Sequence, residues 1–325
     1  MTWPVTLLDV FEARRVVGRH LPRTPLVRSE ALSQRLGCEA YVKCENLLPT
    51  GAFKVRGGIN LISRLSREER ERGVITASTG NHGQSVAYAS SIFGVKATIY
   101  VPKNTSPLKV EAMRRFGATV KLYGSDFDEA RVKAEEEAER KGLRYVHPAN
   151  EPLLIAGVGT LYLEVMEDLP DVDVIIVPIG VGSGASAACI VAKSINPRVE
   201  VIGVQAERAP AVYLSWKEGR IVETPSADTF AEGLATRVPF QLTLGIINEL
   251  IDDIVLVSEE EMKRAILTLL ETVHQLAEGA GAASTAAAFR IKDRIRGKRV
   301  VLILTGGNLP LQTLREIIME VGRPL

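Results

Sequence analysis

Val174-Ile175-Ile176-Val177-Pro178 runs through Ile179 into Gly180-Val181-Gly182-Ser183-Gly184 and on into Ala185-Ser186-Ala187-Ala188. The first run is continuously apolar and rich in β-branched residues, which suits a strand covered on both faces. The glycines make a turn, and the small residues open a helix. This strand-turn-helix order recurs in both directions along the chain. Further strand candidates lie at residues 41–44, 74–77, 97–101, 119–123, 199–204, 254–257 and 299–304, separated by helical patterns. Such alternation predicts an α/β fold of open, twisted parallel sheets with helices on both faces.

At roughly 100 to 200 residues per domain, 325 residues predict two domains. No repeat, low-complexity tract or long linker separates them. The irregular stretch 145–152, with Pro148 and Pro152, marks a crossing between them, so one domain is expected to be inserted into the other. Apolar residues make up 46% and charged residues 24%; 40 Lys and Arg against 39 Asp and Glu leave a net charge of +1, unlike a dedicated nucleic-acid binder. Pro178 interrupts the longest apolar run, which falls far short of the roughly 20 residues of a membrane span. The first fifteen residues lack a secretory-signal pattern, and Cys38, Cys44 and Cys189 have no metal or redox spacing. A cytoplasmic protein without disulfides is expected. The charge-rich segment 126–141 reads as a solvated helix face.

In open parallel sheets ligands gather beyond the carboxyl ends of the strands, so the turns there carry the functional reading. Three are glycine-rich: Ser78-Thr79-Gly80-Asn81-His82-Gly83, Gly180-Val181-Gly182-Ser183-Gly184, and Thr305-Gly306-Gly307-Asn308. The second offers open backbone N–H groups before a helix start and reads as a phosphate cradle. It also fits G-x-G-x-x-G/A, with Glu207 as a ribose-binding acid, which gives a rival reading as an NAD(P)-dependent oxidoreductase. Ser78, Thr79, Gly80, Asn81 and His82 suit a carboxylate or phenolic oxygen, or Ser78 or Thr79 simply caps a helix. Thr305 reaches a ring nitrogen or ends its strand. Lys54, between Phe53 and Val55 and flanked by glycines, is either an ordinary lysine reaching solvent or a desolvated amine suited to Schiff-base chemistry. His20, His82, His147 and His274 have no metal-ligand spacing. Ser183 lacks the G-x-S-x-G elbow of a serine hydrolase.

Arg23-Thr24-Pro25-Leu26, Lys43-Cys44-Glu45-Asn46, Thr50-Gly51-Ala52-Phe53-Lys54-Val55-Arg56-Gly57, Gly80-Asn81-His82-Gly83-Gln84 and Thr305-Gly306-Gly307-Asn308 appear in that order. Together they resemble the fold-type II pyridoxal-phosphate enzymes, specifically the threonine/serine dehydratase and serine racemase family, over nearly the whole chain. The resemblance implies a tryptophan-synthase-β-like fold, with a large cofactor-binding domain of residues 1–73 and 150–325 and a small domain, 74–149, closing over substrate. It implies pyridoxal 5'-phosphate held covalently by Lys54, with Phe53, Asn81, Gly180, Val181, Gly182, Ser183, Gly184 and Thr305 around it. Asn81 would meet the phenolic oxygen and Thr305 the pyridine nitrogen. Ser78, Thr79, Gly80, Asn81 and His82 would bind the amino-acid substrate, and Lys54 and Ser183 would do the chemistry.

The expected activity is that of an ammonia-lyase (dehydratase) for L-threonine, then L-serine, in a homodimer or homotetramer. Serine racemase activity, or dehydration of 3-hydroxyaspartate or phenylserine, is the alternative within the family. A silent amino-acid-binding protein is the alternative outside it. A neutral Thr305 favours prompt loss of a β-leaving group, and Thr79, a secondary hydroxyl where a racemase carries serine, favours dehydration. Gln205 and Ala211 replace the carboxylates of the racemase-like divalent-cation site, so no metal is expected. Val181 interrupts the usual glycine run; Ala149 follows His147-Pro148 where asparagine is common, with Asn150 available to replace it; Glu232-Gly233 stands for Asp-Gly. About twenty residues follow Thr305, too few for a C-terminal isoleucine-responsive module.

Overall fold

The computed structural model describes residues 3–125 and 127–325; Met1 and Thr2 of the N-terminal stretch and Asp126 of the charge-rich segment lie outside them. Ten strands form two sheets: β1 (Leu26–Arg28), β2 (Glu39–Cys44), β3 (Val74–Ala77), β4 (Ala97–Val101), β5 (Thr119–Leu122), β6 (Arg144–Tyr145), β7 (Val174–Pro178), β8 (Glu200–Ala206), β9 (Asp253–Val257) and β10 (Arg299–Leu304). The larger has the order β1-β2-β10-β7-β8-β9 and the smaller β5-β4-β3-β6. All neighbours are parallel except β1, which runs antiparallel to β2 with Leu26 opposite Lys43. The eight expected strands form, with ends shifted by at most two residues. β1 and β6 escaped the sequence because three and two residues carry no periodicity.

The continuous apolar runs follow from a sheet with a core on each face. Ile175, Val177, Val301 and Ile303 point into one core, while Val174, Ile176, Val300, Leu302 and Leu304 point into the other. β7 thus buries every side chain and β10 all but Arg299, as parallel strands between helices do. The charge-rich helix Phe127–Lys141 differs from a fully solvated reading. Ala130, Ala134 and Ala138, spaced four apart, form a stripe packed on Ile75, Ala77 and Tyr100 of the smaller sheet. Its Glu137 is buried too, hydrogen-bonded by the Tyr100 hydroxyl and by Lys121, whose ammonium helps hold that carboxyl down at about 2.

The helix Lys54–Ser63 lies against the helix Pro152–Asp168. A Cβ on Gly157 would meet the Arg56 carbonyl at 2.5 Å, so glycine sets the spacing of the two backbones. Arg56, 1% exposed, makes bidentate bonds of 2.7 and 2.9 Å to each of Glu45 and Glu164. Lys43 Nζ donates to Glu164 at 2.6 Å and to the Thr24 carbonyl at 2.8 Å, and the Thr24 hydroxyl donates to Glu45 at 2.6 Å. Three scattered sequence motifs and Glu164 of the helix Pro152–Asp168 therefore meet in one ionic cluster at the start of the Lys54 helix.

Among the described residues no helix is long and apolar enough to cross a membrane. The three cysteines are free and buried.

Candidate active site

A cavity of about 660 Å³ opens at the carboxyl ends of β3, β7 and β10, between the two sheets. All thirteen residues singled out in the sequence line it: Phe53, Lys54, Ser78, Thr79, Gly80, Asn81, His82, Gly180, Val181, Gly182, Ser183, Gly184 and Thr305. The convergence is topological, since each residue follows a strand that ends at this edge.

Lys54 is the first residue of its helix, and its Nζ donates to Ser183 Oγ at 2.6 Å and to the Pro148 carbonyl at 3.3 Å. Part of the side chain faces the cavity, but protein encloses it deeply, and burial lowers its pKa to about 7. Near neutrality a large share of the amine is therefore uncharged and nucleophilic.

The loop Gly180 to Gly184 leads into the helix Ser183–Ile195. Gly182 sits at φ +92°, and a Cβ there would meet Thr243; a Cβ on Gly180 would lie 2.0 Å from the Gly233 carbonyl oxygen. Val181 does not strain the loop: His274 is the only non-glycine with positive φ among the described residues. The Val181 carbonyl instead accepts from Thr243 Oγ1 at 2.8 Å. The loop keeps glycine where backbones collide and tolerates a side chain between, leaving amides at a helix N-terminus as an anion cradle.

Ser78 acts as a cap, its Oγ accepting from the N–H groups of Gly80 at 3.1 Å and Gly83 at 2.9 Å at the start of the helix Asn81–Phe93. Thr79 and Gly80 remain partly accessible in the cavity. His82 is structural: Nε2 lies 3.1 Å from both Thr76 Oγ1 and the Val146 carbonyl, tying β3 to the segment after β6. The carbonyl acceptor requires the proton on Nε2, so Nδ1, which has no partner, is a bare acceptor. Burial, then the Lys54 charge, lowers His82 to about 3 and keeps it neutral. Thr305 directly follows β10, and its carbonyl accepts from the Phe53 N–H at 2.9 Å.

Two expected substitutes lie elsewhere. Glu207, the acid a dinucleotide ribose would need, is ion-paired with Arg290 at 2.7 Å and does not line the cavity. Asn150 accepts from the Leu242 N–H at 3.2 Å and also lies outside it. Gln205 is occupied by the Ile179 carbonyl and the Tyr213 N–H. Among the described residues no three His, Cys, Asp or Glu side chains gather to hold a metal.

The cavity also holds Glu278 and Lys109, which the sequence did not reveal, Glu232, singled out there as a departure beside Gly233, and, from a quoted motif but without a role, Asn308. Glu278 precedes the helix Gly279–Arg290, and burial raises its carboxyl to about 7 against the lowering effects of Asn81 and Lys109. Lys109, on the helix Pro107–Arg115, bridges to Glu232 across the cavity. Only an acid before a glycine-rich, alanine-rich helix marked Glu278 in the sequence.

A deeply enclosed amine of lowered pKa, a glycine-backed amide cradle at a helix start, a carboxamide and a hydroxyl just past a strand end are the groups that pyridoxal phosphate requires for its aldehyde, phosphate and ring oxygen and nitrogen. The residues present fit that cofactor. Comparison with known proteins agrees. The family described as pyridoxal-phosphate dependent enzyme matches residues 17–306. An L-threonine ammonia-lyase of Thermotoga maritima is 45% identical over 314 residues, 97% of this chain and 78% of the relative. The processed form of threonine deaminase isoform 2 from Solanum lycopersicum superimposes with a TM-score of 0.92 at 36% identity, over 96% of this chain and 91% of that one. Maize serine racemase gives a TM-score of 0.93 at 30% identity, over 98% of both.

Proposed function

The chain belongs to the pyridoxal-phosphate-dependent enzymes of fold type II, in the threonine dehydratase and serine racemase family, and from that we propose an L-threonine ammonia-lyase that also accepts L-serine. The carrying observation is the enclosed Lys54 amine, 2.6 Å from Ser183 Oγ, within one cavity shared with the amide cradle.

In this reading Lys54 binds the cofactor, Gly180 to Gly184 hold its phosphate, Asn81 meets its phenolic oxygen and Thr305 its ring nitrogen. The cofactor, when bound, supplies the electron sink that acidifies the substrate Cα–H bond. Thr79, Gly80 and the amide of Asn81 hold the substrate carboxylate at a helix start. Lys54 Nζ, freed when the substrate amine displaces it from the cofactor, takes the Cα proton, and Ser183, within its reach, passes a proton to the departing β-hydroxyl. The C–H and C–O bonds break, water leaves, and hydrolysis of the enamine gives 2-oxobutanoate and ammonia. Thr305 is neutral and does not hold the ring nitrogen protonated, which favours elimination over reactions needing a long-lived carbanion. The segment 74–149 acts as a small domain that closes over substrate, the Lys109–Glu232 pair spanning its edge. A homodimer or homotetramer in the cytoplasm completes the proposal.

The test is one cuvette: absorbance of the purified protein with cofactor, then L-threonine, L-serine and D-serine in turn with 2-oxo acid detection. An imine band that shifts with L-threonine and yields 2-oxobutanoate is expected. D-Serine formed from L-serine without 2-oxo acid would move the assignment to a racemase, and a protein that takes up no cofactor would overturn it.

A further inference from the structure

Asn81 belongs to the helix that follows β3, yet both ends of its carboxamide are held from the other side of the cavity. Nδ2 donates to Glu278 Oε1 at 2.6 Å, and Oδ1 accepts from Asn308 Nδ2 at 2.8 Å. Asn308 is itself fixed, its Nδ2 also donating to the Thr50 carbonyl at 2.8 Å. Glu278 is anchored by its backbone N–H, which donates to the Gly306 carbonyl at 3.0 Å. A Cβ on Gly306 would fall 2.6 Å from Glu278 Oε1, so the carboxyl reaches Asn81 across the space that this glycine leaves open.

A carboxamide has nearly the same shape in either orientation, and its partners decide which end is which. Asn308 presents a donor and Glu278 an acceptor, so the two leave one arrangement. The nitrogen end carries two hydrogens and Glu278 uses one; the second N–H is free to serve a ligand in the cavity. An oxygen-bearing, partly anionic ring needs a donor there.

We infer that Glu278 is a positioning residue which sets Asn81 to present an N–H, rather than its oxygen, to the cofactor's phenolic oxygen. This rests on the proposed cofactor site. It adds a role for a residue that does not itself contact the reacting atoms. Lys109 and Glu232 are the charged groups that face Glu278 across the cavity.

The experiment measures cofactor dissociation and the imine absorption band of holoenzyme for wild type, Glu278→Ala, Glu278→Gln, Asn81→Ala and Glu278→Ala/Asn81→Ala, with the Tm of each apoprotein. Glu278→Ala is expected to weaken cofactor retention by about tenfold, the scale of one charge-assisted hydrogen bond. Glu278→Gln retains an oxygen acceptor and is expected to stay within about threefold of wild type on the same scale. The double variant is expected to be no worse than Asn81→Ala, because Glu278 acts through Asn81. Additive losses, or a Glu278→Ala holoenzyme with wild-type retention and band, would overturn the inference. A wild type that binds no cofactor would instead sink the site reading on which it rests. If Glu278→Ala does not fold, the Glu278→Gln arm decides: a full tenfold loss there, with unchanged Tm, contradicts the positioning role.

Discussion

The Lys54 amine and the Ser183 hydroxyl, 2.6 Å apart, are the first residues of two different helices, so two helix starts converge on one hydrogen bond. Burial is the cause of the lowered lysine pKa, and the positive ends of both helices act in the same direction against an ammonium.

The amine therefore gains its proton below about pH 7, whereas a lysine at its ordinary 10.5 would be protonated across the neutral range. Cofactor capture by apoprotein, followed as growth of the imine band, is expected to accelerate with pH around a midpoint near 7. A midpoint above 9 contradicts the desolvated amine. Linkage has the same sign: between about 7 and 10.5 the unfolded chain binds the extra proton, so this lysine makes the apoprotein more stable as pH rises through that window.

Gly180→Ala drives a methyl to within 2.0 Å of the Gly233 carbonyl oxygen. The variant is expected to lose most of its bound cofactor and several degrees of Tm. Val181→Gly, in a backbone without positive φ, should keep the cofactor and lose only about 0.5–1 kcal/mol of stability. Equal damage from both, by absorbance and thermal melting, contradicts the view that two fixed glycines and Thr243 shape the cradle.

Lys109 and Glu232 pair across the cavity with Glu232 half-exposed. Such a pair contributes roughly 0.2–1 kcal/mol. Glu232→Gln is thus expected to raise KM for L-threonine by up to about fivefold at unchanged Tm. Added salt should produce the same trend in wild type and none in the variant.

Arg56→Met leaves Glu45 a buried carboxylate held only by the Thr24 hydroxyl, while Glu164 keeps Lys43, and is expected to cost about 3–5 kcal/mol in urea unfolding. Arg67→Met, which breaks an exposed pair with Glu71, should cost under about 1 kcal/mol and serves as the control.

Most of the architecture was legible because parallel strands buried on both faces write themselves as unbroken apolar runs, as at residues 174–178 and 299–304. β1 and β6 were not, because their pairing is set by neighbours rather than by pattern. The helix Phe127–Lys141 looked solvated since its buried stripe is alanine, a residue too small to dominate a charge-rich sequence. Lys54, Asn81 and the glycine cradle were readable as turn chemistry after strands. Glu278 and Lys109 were not, since each reaches the cavity through a side chain whose partner lies more than 100 residues away, and Glu232 stood out only as the acid before Gly233.

β10 lies at the centre of the larger sheet, between β2 and β7, yet it is the last strand of the chain. On the ribosome β2 and β7 are made long before the strand that joins them, and neither pairs directly with the other. The larger sheet, and with it the placement of Thr305 opposite Phe53, is completed only once β10 has been made. A nascent chain stalled before Arg299 would hold β1 and β2 apart from the β7-β8-β9 half, with its unpaired inner edges open to other chains.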